Sequence, residues 1–169
     1  MLYHRDLYYT DAMGKTDVRP AQKKDLPHIM EIFAATSDVL QNEGLETMIA
    51  GYLLKDQLFV ACTGVQIIGM IAIIHNIKRK AIAHIKWIVD TDNYIYITLL
   101  RIDPVYLSTN AGKELFDYAH TLAERRGYAS IRLDAARQLS DKYRSCGFQA
   151  VGSYTQSGRL FYCYGTTSP

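Results

Sequence analysis

Residues 94–127 constrain this chain more than any other stretch. A run rich in β-branched and aromatic residues, Tyr94-Ile-Tyr-Ile-Thr-Leu-Leu-Arg-Ile102, breaks at Pro104, passes through a loop of small polar residues and enters a strongly patterned helix. Proline donates no ladder hydrogen bond, so it ends the strand. In the helix, Leu115, Ala119, Leu122 and Ala123 fall on one face, while Lys113, Asp117, His120, Glu124 and Arg125 fall largely elsewhere. That spacing predicts an amphipathic helix laid on a sheet. Arg125 and Arg126 suit the negative end of the helix dipole, and Gly127 stands where a left-handed residue most often closes a helix.

Strand, small-residue loop and helix start in that order predict an anion site. The first N–H groups of a helix lack partners and carry partial positive charge. Ser108, Thr109, Asn110, Ala111 and Gly112 are small enough to let a phosphate reach that backbone. Two phosphate loops are excluded by the residues present. The nucleoside-triphosphate loop needs a glycine five residues before its Gly-Lys pair and a Ser or Thr after it, where Leu107 and Glu114 stand. The dinucleotide fingerprint needs three glycines where this loop has one, and its strand would end several residues nearer the loop.

Outside this segment, Asp25 reads as the N-cap of a helix carrying Leu26, Ile29, Phe33, Thr36 and Leu40, and residues 45–54 read as a second short helix. Two apolar runs, 58–62 and 65–74, joined around Thr63 and Gly64, predict a β-hairpin. A short helix over 81–87, a turn over 90–93, a strand from Ser130 and a closing hairpin of 149–155 with 159–166 complete the pattern. The prediction is one α+β domain over 18–169, preceded by an extension, 1–17, whose Leu2, Tyr3, Leu7, Tyr8, Tyr9 and Met13 are too apolar for a free tail. Such a segment docks on its own subunit or a neighbour, which leaves a homodimer open.

Composition narrows the function classes. A net charge of +2 gives no basis for nucleic-acid binding, and Lys78-Arg-Lys80 reads as a solvated loop. Cys62, Cys146 and Cys163 have no metal-ligand spacing and read as reduced, buried thiols. His4, Arg5, Asp6 and Asp11 are unlike a signal peptide, and no run is long enough to span a membrane, so a cytoplasmic location is expected.

The segment Leu100-Arg-Ile-Asp-Pro104 with its loop and helix resembles the pyrophosphate-binding segment of the GNAT superfamily of acetyl-CoA-dependent N-acetyltransferases. Asp17-Val-Arg-Pro20 and the helix after Asp25 look like that superfamily's first strand and helix; Ser130-Ile-Arg-Leu-Asp134 and Tyr143-Arg-Ser-Cys-Gly-Phe148 look like its fifth strand and the Tyr-x-x-x-Gly-Phe that follows. The resemblance implies a mixed central sheet of about seven strands, passing from antiparallel to parallel, flanked by helices. It implies acetyl-CoA as cosubstrate, held by the backbone of Leu100, Arg101 and Ile102 and by Leu107, Ser108, Thr109, Asn110, Ala111, Gly112 and Lys113. The family's loop, Gln/Arg-x-x-Gly-x-Gly/Ala, becomes Leu107-Ser-Thr-Asn-Ala-Gly112, where Asn110 is among the residues that best tolerate left-handed angles.

The implied reaction is direct attack of a primary amine, on a small molecule, an amino acid or a peptide N-terminus, on the acetyl thioester. The Ile102 N–H is expected beside the thioester oxygen, where charge develops. Tyr143 is expected to protonate the departing thiolate: a phenol of pKa about 10 is still protonated where a thiol of about 8.5 has begun to ionise. Glu46, His75, His84 and Asp103 are candidate bases, and Trp87 and Tyr52 candidate wall residues of the acceptor pocket. A second reading is a catalytically silent acyl-CoA-binding or regulatory module. It draws on Leu107, on Asn110 and on the lack of the family's asparagine shortly before Tyr143, where Gln138 is the nearest substitute.

Overall fold

Alternation of apolar residues, punctuated by glycine and proline, sets the elements of the computed structural model, which describes residues 15–36, 44–75, 93–136, 140–156 and 158–166. The strands are β1 (Thr16–Pro20), β2 (Leu58–Thr63), β3 (Gln66–Ile74), β4 (Tyr94–Ile102), β5 (Ser130–Ala136), β6 (Gln149–Gln156) and β7 (Arg159–Gly165). The helices are α1 (Leu26–Thr36), α2 (Leu45–Leu54), α3 (Ala111–Arg125) and α4 (Ser140–Ser145). One mixed sheet carries all seven strands in the order β1-β2-β3-β4-β5-β7-β6. It is antiparallel except between β4 and β5, which are parallel because α3 carries the chain back across one face. This is the mixed seven-stranded architecture the resemblance implies.

Each face of the sheet has its own core. On one face α3 buries Leu115, Phe116, Ala119 and Ala123 against Ile71, Ile73, Ile95, Ile97 and Leu133. On the other, Ile29, Ile32 and Phe33 of α1 and Ile49 of α2 pack on Leu58, Val60, Met70 and Leu99. A helix with one apolar stripe gains about 1.5–3 kcal/mol for each large side chain it fully buries, so the stripe on α3 decides which way that helix lies. Gly127, at φ 72°, closes α3 as expected: its N–H donates to Glu124 O at 3.1 Å and the Tyr128 N–H to Ala123 O at 2.9 Å.

A bulge inside β4 matters more than its ends. Ala72 pairs with Leu99 and Ile73 with Ile97, so Thr98 is an extra residue against β3. An extra residue reverses the in–out alternation of everything after it. Ile95 and Ile97 lie on the α3 face before the bulge; beyond it Leu100 and Ile102 take that face, and Leu99 lies with α1 and α2.

Several expected details differ. Asp25 does not cap α1 from outside. It sits in a 3-10 turn, Lys23–Asp25, and its buried carboxylate bonds backward, accepting from the Gln22 N–H at 2.8 Å and from Arg19 at 2.7 and 3.0 Å. α1 is described only as far as Thr36, and the second strand of the hairpin starts at Gln66, leaving Val65 exposed in the turn. Thr16 and Asp17 already pair with Thr63 and Cys62, so β1 starts inside the segment 1–17. Residues 1–14, the 81–87 helix, the turn at 90–92, Lys78-Arg-Lys80 and Leu40 lie outside the described residues. Among the described residues no helix is long and apolar enough to cross a membrane.

The Arg19–Asp25 pair gives a stability prediction. Hydrogen bonds from Arg19, only partly offset by burial, hold the Asp25 carboxyl below its ordinary range. A carboxylate whose folded pKa is depressed stabilises the fold above its unfolded pKa of about 4, and the gain fades as pH falls through the folded value. Asp25→Asn is expected to cost about 1.5–3 kcal/mol at pH 7, with the difference from the parent shrinking below about pH 4. Urea titrations at pH 7 and pH 3 check this; a pH-independent difference would remove the ion pair as its cause.

Candidate functional site

The parallel pairing of β4 with β5 runs from Tyr94 and Ser130 to Ile97 and Leu133 and stops there. Beyond that point β5 stays paired on its other edge, to β7, through Ala136. The two strands therefore diverge and the last turn of β4 has an open edge. Asp103 N–H donates to Ile68 O on β3 at 2.9 Å, and alternate residues of an antiparallel ladder point to alternate edges. The Ile102 N–H and the Leu100 carbonyl accordingly face the gap.

A cavity of about 450 Å³ opens at this end of β4. The end of β4 contributes Leu100, Arg101 and Ile102; the loop and the start of α3 contribute Leu107, Thr109, Gly112 and Lys113. Tyr143, Lys142, Ser145 and Cys146 close it from α4 and the residue that follows, Phe116 from α3, and Thr36 from the end of α1 on the other face. No lining side chain is acidic. Not every candidate of the loop reaches the cavity: Ser108 and Asn110 are exposed outside it, and Ala111 is buried in the core. Phe116, Thr36 and Cys146 escaped sequence reading because an aromatic, a threonine and a cysteine carry no local signal of a cavity; Cys146 is half-buried, not buried as expected.

The loop is more ordered than its sequence suggests. Pro104–Tyr106 forms a 3-10 turn capped by the Asp103 carboxylate, which accepts from the Val105 N–H at 2.9 Å. The Thr109 hydroxyl donates to Tyr106 O at 2.7 Å and accepts from the Ala111 N–H at 3.2 Å. The first intrahelical bond of α3 is Glu114 N–H to Asn110 O, so the Gly112 and Lys113 N–H groups point out of the helix start with no intrahelical acceptor. Ala111, Gly112 and Lys113 thus belong to the first helical turn and not to the loop. Asn110 adopts φ −79°, which corrects the expectation that it supplies left-handed angles. Lys113 is tied to Asp117 one turn along, whose hydrogen bond raises its pKa.

Tyr143 is placed by the Gly-Phe that follows it. Gly147, at φ 85°, ends α4 with its N–H on Arg144 O at 3.1 Å, while the Phe148 N–H returns to Tyr143 O at 3.1 Å. That closure turns the chain so that the Phe148 ring meets the Tyr143 ring edge-on at 6.3 Å. Phe116 at 5.8 Å and Tyr164 at 5.1 Å complete its surroundings. The Tyr143 hydroxyl has no hydrogen-bond partner among the described residues. Burial, then Tyr164, push its pKa up, with Arg101 pulling the other way, so the phenol is protonated at neutral pH.

Of the candidate bases, Asp103 is engaged in its turn cap, Glu46 is exposed on α2, and His75 follows β3 with its ring stacked over Tyr128 at 6.1 Å. Tyr52 packs against the α1–α2 core, and His84, Trp87 and Gln138 lie outside the described residues. Of the described candidates, Asp103, Glu46, His75 and Tyr52, none lines the cavity. Among the described residues no cluster of His, Cys, Asp or Glu is arranged to hold a metal.

Gly69 is a residue sequence reading missed. It pairs with Ile102, and a Cβ there would lie 2.7 Å from Ile102 Cδ1 and 3.1 Å from Arg101 O. Gly69→Ala is expected to cost about 1–3 kcal/mol by forcing Ile102 and the β4 backbone aside. A denaturant melt reads this directly; an unchanged midpoint would show that the Ile102 side chain yields freely.

Comparison with known proteins gives the same architecture a family. Residues 22–161 match the Acetyltransferase (GNAT) domain, which is most of the chain, and the chain belongs to that family. A GNAT-family acetyltransferase from Listeria monocytogenes 4b F2365 superposes with a TM-score of 0.71 at 18% identity, covering 95% of this chain and 99% of that one. The PaiA N-acetyltransferase from Thermoplasma acidophilum, solved with coenzyme A, gives a TM-score of 0.68 at 16% identity over 91% and 99%. A chain of the NatC complex bound to Gag peptide and CoA gives 0.67 at 16% over 92% and 99%. At these identities the likeness is one of fold. No curated protein matches the chain in sequence.

Proposed function

We propose that this protein transfers the acetyl group of acetyl-CoA to a primary amine by direct attack within a ternary complex. The observation that carries the reading is the gap between β4 and β5, where a single cavity meets an open strand edge, a helix start and a tyrosine hydroxyl. The Gly112 and Lys113 N–H groups and the Thr109 loop are suited to the pyrophosphate. The open edge at Leu100 and Ile102 is suited to the amides of the pantetheine arm. In the reaction the amine nitrogen forms a bond to the thioester carbon, charge collects on the carbonyl oxygen near the Ile102 N–H, and the carbon–sulfur bond breaks. The thiolate takes the Tyr143 proton, and the proton lost by nitrogen passes to solvent.

One observation favours the binding-only alternative: Leu107 is 56% exposed at the phosphate end, and the nearby Lys113 is engaged by Asp117. Free thiol released from acetyl-CoA across a panel of amines, amino acids and peptide N-termini separates the two. Amine-dependent release establishes transfer. Binding of acetyl-CoA without release on any acceptor would replace the transferase reading with the module.

A further inference from the structure

Among the described residues Arg101 is a cation without an anionic partner, and its position puts it on the α1 side of the cavity. The bulge at Thr98 turns residue 101 away from α3 and the phosphate-binding helix start, so its guanidinium lies over the Phe33 ring of α1, 5.5 Å from the centroid. Its Nη1 donates to the Leu100 carbonyl at 2.8 Å, while its Nε is buried with no acceptor among the described residues. Of the other basic side chains that line the cavity, Lys113 is matched by Asp117 and Lys142 stands on α4. The cavity offers Arg101 no carboxylate. The one acceptor it has, the Leu100 carbonyl, lies on the edge assigned above to the pantetheine amides, so a bound cofactor competes for it. A guanidinium presents five N–H donors in a fork that matches a carboxylate.

We propose that Arg101 recognises the acceptor, and that the acceptor amine carries a carboxylate, which the guanidinium grips from the α1 face of the gap. The proposal rests on the acetyl-transfer reading for its choice of ligand. A carboxylate held there is drawn to the cavity wall opposite the phosphate end, and its amine is left to meet the thioester in the gap. The same chemistry has two sources, the α-carboxylate of a free amino acid and an acidic side chain near a peptide N-terminus.

Product binding tests this without requiring turnover. N-acetylamino acids and the matching N-acetylamino acid amides are titrated calorimetrically into the CoA-saturated protein, with N-acetylaspartate and N-acetylglutamate amides as the arm that keeps only a side-chain carboxylate. Hydrogen bonds to a charged group imply an acid-over-amide preference of about 10- to 150-fold. In Arg101→Gln the preference should fall to near unity, and Arg101→Lys should retain part of it, since lysine keeps the charge but loses the fork. Preference for the acidic amides over the α-acids would assign the carboxylate to a peptide side chain. An equal hold on acids and amides in the parent, or a preference unchanged in Arg101→Gln, overturns the proposal. Carboxylate-selective binding with no thiol release on any amine would sink the transferase reading while leaving Arg101 as an anion-recognition residue.

Discussion

Tyr143→Phe is expected to lower kcat by about 10²–10⁴-fold while acetyl-CoA affinity stays near that of the parent, the usual size of a general acid's contribution. The substitution is clean for a structural reason. The phenylalanine keeps every ring contact with Phe116, Phe148 and Tyr164, and because the hydroxyl has no partner among the described residues its loss orphans nothing. Thermal stability should therefore match the parent, which separates a chemical effect from a folding one. The pH dependence has a definite sign. With its pKa pushed up from the ordinary phenol value by burial, Tyr143 holds its proton across the neutral range, so no loss of kcat near neutral pH should trace to it. Full turnover by the variant on a confirmed acceptor would hand the proton transfer to water or another group.

Gly112→Glu should abolish cofactor binding without unfolding the protein. A Cβ at this position meets nothing within 4 Å, so the side chain enters the cavity and not the core. Glycine is a poor helix former and a glutamate in the first turn suits the helix dipole, so the fold should be as stable as the parent or slightly more so. Against a pyrophosphate the same carboxylate is repulsive: two like charges about 4 Å apart at an effective dielectric of about 20 cost about 4 kcal/mol, or roughly a thousandfold in affinity. Calorimetry with CoA reads the effect, and an unchanged dissociation constant would move the phosphate site elsewhere.

The two substitutions draw on parts of the protein that were unequally legible. β4 runs from Tyr94 to Ile102 as its residues predict, and α3 lays its predicted stripe on the sheet and is closed by Gly127. Tyr143, Gly147 and Phe148 were recognisable as a motif. Their geometry explains why, since a left-handed glycine and a ring contact between the residues flanking it are short-range requirements. Asp25 went the other way. A carboxylate before a helix reads as a cap, and only the arrival of Arg19 from β1 turns it back into a buried ion pair.

What the sequence by itself determined is therefore the set of local commitments: strand runs, helix stripes, left-handed glycines, and a strand–loop–helix order suited to an anion. Each depends on residues within a turn or two of one another, through periodicity, proline and glycine. The tertiary structure alone decided which way Arg101 faces, that Gly69 must be small, and that β4 and β5 separate after Ile97. A bulge is a mismatch in count between two strands, and a gap is where pairing between two strands stops. Neither is written in either strand alone, and the cavity exists because both occur at the same end of β4.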